Sequence, residues 1–391
     1  MATRPTYYPQ EPVNPKYFAG RQKVLAEFEK IIAAAVQGRA ENAAVYGVRG
    51  IGKTSLLVKV REQVPSSCFT AYYAVSREFG SKEFVDELLQ KMELQYKTDL
   101  SKYRRFLERV KAVPSRIEEF SLFEISLALR KNEKAPQIAL MEGILKFRER
   151  GFKAIFIFID EADLVSNEVL AMVKDVVQEM RGPPYSFPIG IVVAGKDDLL
   201  KRLTDKLSPI GRFFSTHRFE LEILLHDETK EALVLPAEEL KVCWEEDAIN
   251  FVYAASKGFP FIVQLYGKYA LEQSNDAKID LEDVRRSHTE VVLEVGASYE
   301  AGWKEKPSPI EMSVLLTIAD AGGSASYSRI KKDMHKECGV YLKRLVSKRC
   351  LLQNEERSVY YFFYPLVGDY LKMRYKPIKR EKNNSSLHDL A

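Results

Sequence analysis

The sequence has 391 residues, of which 46% are hydrophobic and 29% are charged, and its formal net charge is +4. This balance excludes intrinsic disorder and a polycationic chain, because there is enough apolar material to bury a core. The four cysteines include no CxxC pair and the five histidines form no ligand-spaced cluster with them, which argues against a disulfide framework and a structural zinc site.

The length predicts two or three folding units at about 150 residues per domain. No stretch approaches the ~20 apolar residues that cross a bilayer. The N-terminus also lacks the apolar segment of a signal peptide. We therefore expect a cytoplasmic protein with no membrane partner.

The first half of the chain alternates helical periodicity with short apolar runs. Residues 1–16 are rich in Pro and Tyr and predict an extended arm, whereas residues 21–36 repeat apolar positions at helical spacing. Four apolar runs predict buried strands: Ala43–Tyr46, Phe69–Val75, Ala154–Ile159 and Ile189–Ala194. Buried strands that alternate with helices predict a parallel sheet, and hence an α/β core over residues 17–225. Within it, residues 76–150 carry helical patterns without a motif, typical of ordinary core and surface helices or of a partner surface.

The second half of the chain changes character. Residues 226–303 show helical signals only and predict an all-helical lid domain. Residues 304–375 begin with a linker-like stretch and predict the winged-helix order of three helices and a hairpin. The segments of that order are Ser308–Ala321, Tyr327–Met334, Gly339–Lys348, Leu351-Leu352 and Val359–Phe363. Residues 376–391 predict a flexible basic tail.

A glycine-rich segment follows the first predicted strand. It fits the pattern G-x-x-x-x-G-K-[ST] and continues for one residue: Gly47, Val48, Arg49, Gly50, Ile51, Gly52, Lys53, Thr54 and Ser55. The glycines allow backbone N–H groups to surround an anion, and the following helix presents its positive end. In this pattern Lys53 reaches the β- and γ-phosphates and the Thr54 hydroxyl is a ligand of Mg²⁺. A turn that merely links a strand to a helix is the alternative, but it does not require Lys53 and Thr54 at its end.

An acidic segment follows the apolar run that ends at Ile159. Because ligands of open parallel sheets bind at the carboxyl edge, Asp160 and Glu161 are expected to face the same ligand as the glycine-rich segment. We expect Asp160 to hold the hydration shell of Mg²⁺ and Glu161 to orient and deprotonate the water that attacks ATP. The alternative is a solvated acidic cap on the next helix, and this is our expectation for Asp163.

With two further motifs, these segments resemble the AAA+ and STAND group of P-loop ATPases, in the branch of the archaeal and replication-initiator ATPases. Tyr17-Phe18-Ala19-Gly20-Arg21 resembles the hydrophobic-Gly-Arg box of the group, although Gln22 stands where Glu is usual. Gly258-Phe259-Pro260 resembles the Gly-x-Pro motif of the STAND lid. The resemblance covers about residues 16 to 275 and continues more weakly to 374. It implies a P-loop NTPase sheet with a helical lid and a C-terminal winged helix.

The resemblance also implies roles for individual residues. Phe18, Gly20 and Arg21 would lie near the adenine and ribose, and Pro260 would close over the base. No arginine follows the Gly-x-Pro turn, where many relatives keep one. A slow, switch-like ATPase is therefore expected, rather than a fast motor.

By the same resemblance, the strand Ile189–Ala194 would lie between the phosphate-loop strand and the strand that ends in the acidic segment. The usual Asn or Thr sensor of the γ-phosphate does not follow this strand, so Lys196 or Asp197 would substitute for it. Arg212 resembles the Gly-Arg element that supplies a catalytic arginine, and Arg218 is the second candidate. Such an arginine implies a nucleotide-dependent homo-oligomer. The alternative for either residue is a surface arginine or a structural ion pair.

Positive charge is concentrated in residues 304–382, where 17 Lys and Arg stand against 9 Asp and Glu, a net charge of +8. A basic winged helix suggests contacts with the backbone of double-stranded DNA. The candidate DNA-binding residues are Lys343, Arg344, Lys348 and Arg357. The third helix is poor in the residues that read base edges, which favours backbone binding over sequence-specific readout. The alternative is a winged helix that docks a protein or packs against the ATPase core.

Three functional hypotheses follow. The first is an ATP-dependent switch that engages DNA through the winged helix. The second is a signalling or scaffold ATPase whose winged helix contacts a protein partner. The third is a mobile-element targeting ATPase that forms filaments on DNA.

Overall fold

The computed structural model describes residues 7–109, 121–204, 210–274, 277–354 and 358–375, without the side chains of residues 108, 109, 197 and 198. The chain divides into two compact units, Met1–Leu240 and Lys241–Ala391. Among the described residues, no helix is long and apolar enough to span a membrane.

The first unit is an α/β sandwich. Its strands are β1 (Ala43–Tyr46), β2 (Cys68–Ala74), β3 (Ala154–Asp160), β4 (Ile189–Gly195) and β5 (His217–Glu220). Its helices are α1 (Gln22–Val36), α2 (Lys53–Gln63), α3 (Ser81–Thr98), α4 (Leu100–Arg109), α5 (Phe123–Arg130), α6 (Pro136–Glu149), α7 (Asn167–Arg181), α8 (Asp197–Thr204) and α9 (His226–Glu238). Short 3₁₀ turns, Pro15–Tyr17 and Ala162–Leu164, precede α1 and α7.

The five strands of this unit are parallel and lie in the order β2-β3-β4-β1-β5. The four predicted strands are confirmed, and β4 lies between β3 and β1 as the resemblance implied. Every residue of β3 and β4 is buried, because these strands are central and covered on both faces. The edge strand β5, with the sequence HRFE, was not predicted because it carries no apolar run and is partly exposed.

The described helices between residues 76 and 150, α3 to α6, contribute to the core of this unit. The Phe69 ring on β2 stacks on Phe147 of α6 with centroids 4.0 Å apart, and it also contacts Tyr96 and Tyr103. These four side chains are at most 1% exposed. Aromatic burial of this kind supplies much of the apolar area that stabilises the sheet.

After a two-residue strand, the second unit continues with three helices of 11, 14 and 21 residues. Its helices are α10 (Glu246–Ser256), α11 (Pro260–Gln273), α12 (Leu281–Ala301), α13 (Pro309–Asp320), α14 (Tyr327–Met334), α15 (Gly339–Ser347) and α16 (Val367–Tyr375). Its strands are β6 (Cys243–Trp244), β7 (Lys278–Ile279), β8 (Ser324–Ser326), β9 (Leu352–Asn354) and β10 (Val359–Tyr361). The expectation of helices alone between residues 226 and 303 was wrong in one respect, since β6 and β7 pair as a short parallel ladder. The boundary between the units follows Leu240, so α9 lies in the first unit rather than with α10.

The C-terminal part of the second unit has the predicted order of three helices and a hairpin. Strand β8 adds a third member to the hairpin, in the antiparallel order β8-β10-β9, and α16 follows. Helix α16 packs on α12, where a Cβ at Gly296 would lie only 2.0 Å from the Tyr370 ring. The Tyr299 hydroxyl of α12 also donates to the Cys350 carbonyl at 2.6 Å. The helical segment and the C-terminal segment are therefore joined by a tight interface within one unit.

Candidate functional site

The glycine-rich segment joins the end of β1 to the start of α2. Gly50 and Gly52 adopt φ values of +81° and +96°, which other residues rarely adopt. Gly52 immediately precedes the first residue of α2, and a Cβ there would meet no atom within 4 Å. The N-terminus of α2 therefore opens onto free space, as a phosphate-binding helix requires.

Lys53 lies inside this loop. Its side chain is largely buried, and its Nζ donates to the carbonyls of Gly47 at 2.9 Å and Val48 at 3.0 Å. Burial lowers the pKa of the Lys53 amine, and the nearby carboxylates of Glu161 and Asp160 oppose that shift. An incoming phosphate would offer this ammonium a charged acceptor in place of two neutral carbonyls.

Asp160 at the end of β3 meets Thr54 at the start of α2. The Thr54 hydroxyl donates to Asp160 Oδ2 at 2.6 Å, and the Glu161 backbone N–H donates to Oδ1 at 2.9 Å. The Asp160 carboxylate is only 2% exposed. A hydroxyl and a carboxylate in contact are the hard oxygen donors that Mg²⁺ takes in proteins, where phosphates and waters supply the other ligands. The residues present therefore fit Mg²⁺, and no group of three or more His, Cys, Asp or Glu that would build a closed metal cage occurs among the described residues.

Tyr72 of β2 is a site residue that the sequence analysis missed. Its hydroxyl donates to Asp160 Oδ2 at 2.9 Å, across the register that pairs β2 with β3. Burial, and then the Asp160 charge, raise the pKa of Tyr72 above its usual range, so the phenol stays protonated. Its neighbour Tyr73 faces the other side of the sheet and donates to Glu87 at 2.8 Å. Only the strand order and register distinguish these two tyrosines.

Glu161 faces Lys196, the residue that follows β4. Lys196 Nζ lies 3.2 Å from Glu161 Oε2 and 3.3 Å from Asp163 Oδ2. Asp163 Oδ1 also accepts the backbone N–H of Lys196 at 3.2 Å. The expectation that Asp163 is a solvated cap was wrong, because its side chain is 8% exposed and it orients Lys196. An ion pair thus occupies the position expected of the catalytic base.

The Gly20–Arg21 segment is tied to α9 by two carboxylates. Glu231 accepts the Gly20 N–H at 2.8 Å, and Glu228 accepts the Arg21 N–H at 2.9 Å. The Arg21 guanidinium donates to the Ile51 carbonyl of the phosphate loop at 3.3 Å, and its burial lowers the pKa of Arg21. Arg21 therefore links the loop to α9 in this structure.

Other candidates for nucleotide contacts have separate places in the fold. Phe18 is partly exposed just before this segment, and Pro260 is the first residue of α11 in the second unit. The described part of the N-terminal arm runs along α2, where Ser55 Oγ accepts the Val13 N–H at 3.1 Å. Contact of Phe18, Arg21 and Pro260 with a nucleotide stays a prediction.

The two candidate catalytic arginines differ in their surroundings. The Arg218 guanidinium donates to three backbone carbonyls, those of Leu203, Gly211 and Phe214, at 2.7 to 3.0 Å. Arg212 is exposed, and its side chain makes no hydrogen bond or ion pair within the described residues. Arg212 is thus the candidate that is available to a partner, whereas Arg218 has a structural role.

The candidate DNA-binding residues also differ in whether their charged groups are exposed or paired within the protein. Lys343 and Arg344 are exposed on α15. Lys348, in contrast, lies 3.0 Å from the buried Glu311 and 3.5 Å from Glu305, so its amine supports the start of α13 rather than an open surface. Arg357 lies outside the described residues.

Comparison with known proteins agrees with this geometry. Residues 36–203 match the model of the AAA domain family. The chain is 22% identical over 368 residues to an uncharacterized HTH-type transcriptional regulator of Methanocaldococcus jannaschii, a match that covers 89% of this chain and 87% of that protein. Among solved structures, the fold is similar to a Walker-type ATPase of Pyrococcus abyssi, with a TM-score of 0.61 and 17% identity over 95% of this chain and 99% of that chain. It is also similar to the ORC2 protein of Aeropyrum pernix, with a TM-score of 0.60 and 15% identity over 90% of this chain and 94% of that chain.

Proposed function

The chain contains a P-loop ATPase domain of the AAA family, and from this premise we propose that it binds ATP with Mg²⁺ and hydrolyses it slowly, as a switch that couples nucleotide state to DNA engagement. One observation carries the proposal. Lys53, Thr54, Asp160 and Glu161, which come from two distant parts of the sequence, converge at the carboxyl edge of the sheet.

Each of these residues has a chemical task. The loop from Gly47 to Gly52 and the Lys53 ammonium would bind the phosphates, and Thr54 and Asp160 would hold the metal. When bound, Mg²⁺ neutralises charge on the β- and γ-phosphates. Glu161 orients the attacking water and accepts its proton.

Lys196 links the γ-phosphate to the catalytic base. Its ammonium lies between the carboxylates of Glu161 and Asp163, at 3.2 and 3.3 Å. In this arrangement the ammonium occupies the Glu161 carboxylate that would otherwise hold the attacking water. A γ-phosphate would compete for the same ammonium, which supports Lys196 as the sensor of the γ-phosphate. The pairing of the base also supports a low rate.

Arg212 would act on the nucleotide of a second copy. The turn that carries it precedes β5, which runs parallel to β1, whereas the phosphate loop follows the end of β1. Asn42, immediately before β1, donates to the Phe213 carbonyl at 3.1 Å, so this turn lies at the amino edge of the sheet. Arg212 and the phosphate loop of the same chain thus lie at opposite edges. A catalytic arginine there implies a nucleotide-dependent homo-oligomer.

The second unit would carry the response to nucleotide. Within this unit, Gly296 of α12 packs closely against the Tyr370 ring of α16. A movement of α12 would therefore move α16 and the C-terminal segment with it. The exposed Lys343 and Arg344 on α15 supply a cationic surface for DNA phosphates. The match to a protein named as an HTH-type transcriptional regulator supports a DNA target.

The test of the ATPase proposal is calorimetry and turnover with ATP and Mg²⁺. Glu161→Gln should retain ATP while hydrolysis falls by about 10²- to 10⁴-fold, the usual contribution of a general base. Lys53→Ala should lose nucleotide binding. Normal turnover in the Glu161→Gln variant would contradict the assignment of the base, and the absence of any ATP binding by the folded wild-type protein would contradict the whole proposal.

A second candidate function is a scaffold ATPase whose winged helix contacts protein. It is favoured by Val340 on α15, which is 62% exposed although apolar, and by the pairing of Lys331 with Glu337. Duplex binding measured over a series of salt concentrations separates the two candidates. A binding constant that falls steeply with salt supports DNA as the partner. In a plot of log K against log salt concentration, the expected slope is about −0.9 for each phosphate neutralised. No duplex binding at low salt favours the protein partner.

A further inference from the structure

The exposed Arg212 is carried by a turn whose backbone is held unusually firmly. We call residues 211–215 the arginine turn. Four consecutive carbonyls of this turn accept hydrogen bonds from side chains. Arg218 donates to Gly211 at 2.8 Å and to Phe214 at 3.0 Å, Ser215 Oγ donates to Arg212 at 2.8 Å, and Asn42 Nδ2 donates to Phe213 at 3.1 Å.

The side-chain amide of Asn42 is itself held in one orientation by hydrogen bonds to its oxygen. Its Oδ1 accepts the Ile191 N–H at 3.0 Å and the Arg181 guanidinium at 2.7 Å, which leaves Nδ2 to face the Phe213 carbonyl. Only this orientation of the amide satisfies all three partners. Asn42 is 6% exposed, so the bond to the turn is shielded from water.

Apolar side chains on both sides of Arg212 anchor the turn to the core. Ile210 is fully buried and Phe214 is 1% exposed, and the rings of Phe213 and Phe214 meet edge to face at 5.0 Å. Between these two buried residues, the Arg212 side chain is exposed. A surface turn could leave its carbonyls to water, so four side-chain donors exceed what solvation requires.

From this arrangement we infer that Arg218 and Asn42 are positioning residues that preorganise Arg212 for the phosphates of a second copy. The inference rests on the proposed role of Arg212. An arginine on a mobile turn would have to order backbone and side chain together when it meets a phosphate, whereas a held turn leaves only the side chain to order. The electrostatic contribution of such an arginine depends on placement, since an error of about 1 Å can lower a rate about 100-fold.

The test compares Arg218→Lys and Asn42→Asp with Arg212→Ala. Arg218→Lys keeps the charge but cannot donate to two carbonyls at once in the fork geometry of a guanidinium. Asn42→Asp keeps the acceptor that serves Arg181 and Ile191, and replaces only the donor that holds Phe213. The control is Arg130→Gln, which removes another hydrogen-bonded arginine, paired with Asp86 on α3 and far in sequence from the turn. Thermal melting of each variant identifies any that fail to fold.

Turnover should fall between about tenfold and 100-fold in Arg218→Lys and in Asn42→Asp, by the argument from placement, while ATP affinity and the Arg130→Gln rate stay at the wild-type value. The decisive measurement is the turnover of oligomers assembled from two different variants. Glu161→Gln copies cannot hydrolyse ATP but carry an intact arginine turn, so they should restore turnover in the sites of Arg218→Lys and Asn42→Asp copies. They should restore Arg212→Ala copies in the same way, whereas mixing Arg212→Ala with Arg218→Lys should restore nothing.

Three outcomes would overturn the inference. If Arg218→Lys and Asn42→Asp turn over ATP normally while Arg212→Ala is slow, the held turn does not position the arginine. If Glu161→Gln copies rescue Arg212→Ala but not the other two variants, Arg218 and Asn42 serve the fold of their own subunit. Normal turnover in Arg212→Ala would instead refute the proposed role of Arg212, and the positioning role with it.

Discussion

The hydrogen bond from Tyr72 to Asp160 provides a sharp test of the candidate metal site. Asp160 accepts three hydrogen bonds, from the hydroxyls of Thr54 and Tyr72 and from the Glu161 backbone. Tyr72→Phe removes one of them without changing the volume or the ring packing. The carboxylate would then be oriented by two donors, and its placement toward Mg²⁺ would be less well defined.

The expected magnitude follows from this geometry. A hydrogen bond to a charged group contributes about 1.5–3 kcal/mol, and loss of an outer partner of a metal ligand lowers metal affinity about 10- to 100-fold. The Thr54 hydroxyl and the Glu161 N–H still donate to Asp160 in this variant. We therefore expect the lower end of the range for metal affinity, a tenfold loss or about 1.4 kcal/mol. The assay is binding of a non-hydrolysable ATP analogue at increasing Mg²⁺, with the Mg²⁺ concentration at half-saturation as the readout.

Tyr73→Phe is the matched control. Tyr73 is the adjacent residue of β2, and its hydroxyl also donates to a carboxylate, that of Glu87 at 2.8 Å, on the opposite face of the sheet. It should leave the Mg²⁺ midpoint unchanged. An unchanged midpoint in Tyr72→Phe, or equal shifts in both variants, would refute the argument that Tyr72 orients the metal ligand.

The remaining predictions concern the sensor, the basic surface and the interface inside the second unit. Lys196→Ala should lower the preference for ATP over ADP, measured by calorimetry, because no ammonium is then left to move from Glu161 to a γ-phosphate; an unchanged preference would remove Lys196 as the sensor. Alanine at both Lys343 and Arg344 should reduce the salt slope of duplex binding by about two, one for each phosphate that is no longer neutralised, and an unchanged slope would place DNA elsewhere. Gly296→Ala should lower the melting temperature through overpacking against the Tyr370 ring, an effect of about 1–3 kcal/mol, and wild-type melting would show that the interface yields easily.

Much of the site was predictable because its motifs are contiguous. The apolar runs predicted four of the five strands of the parallel sheet, and the glycine-rich and acidic segments follow two of them directly. A fully buried strand carries an unbroken apolar run, and a phosphate loop needs glycine, lysine and threonine at set spacings, so both are visible in a single stretch of sequence. The AAA-type core was recognised on these residues and is confirmed by the match of residues 36–203.

The interactions that distinguish this protein join residues far apart in the chain. Tyr72 faces Asp160 only because β2 lies beside β3 in one register, and a shift by one residue would bring Tyr73 there instead. Lys196 meets Glu161 because β4 is the next strand of the sheet. Asn42 reaches the arginine turn because β5, which lacks an apolar run, pairs with β1.

The local pattern of the sequence thus determined which segments form strands, helices and the phosphate loop, because burial and backbone conformation leave their mark residue by residue. Strand order and register decided which side chains meet across those segments. These depend on how the whole core packs, and no single stretch of sequence contains that information.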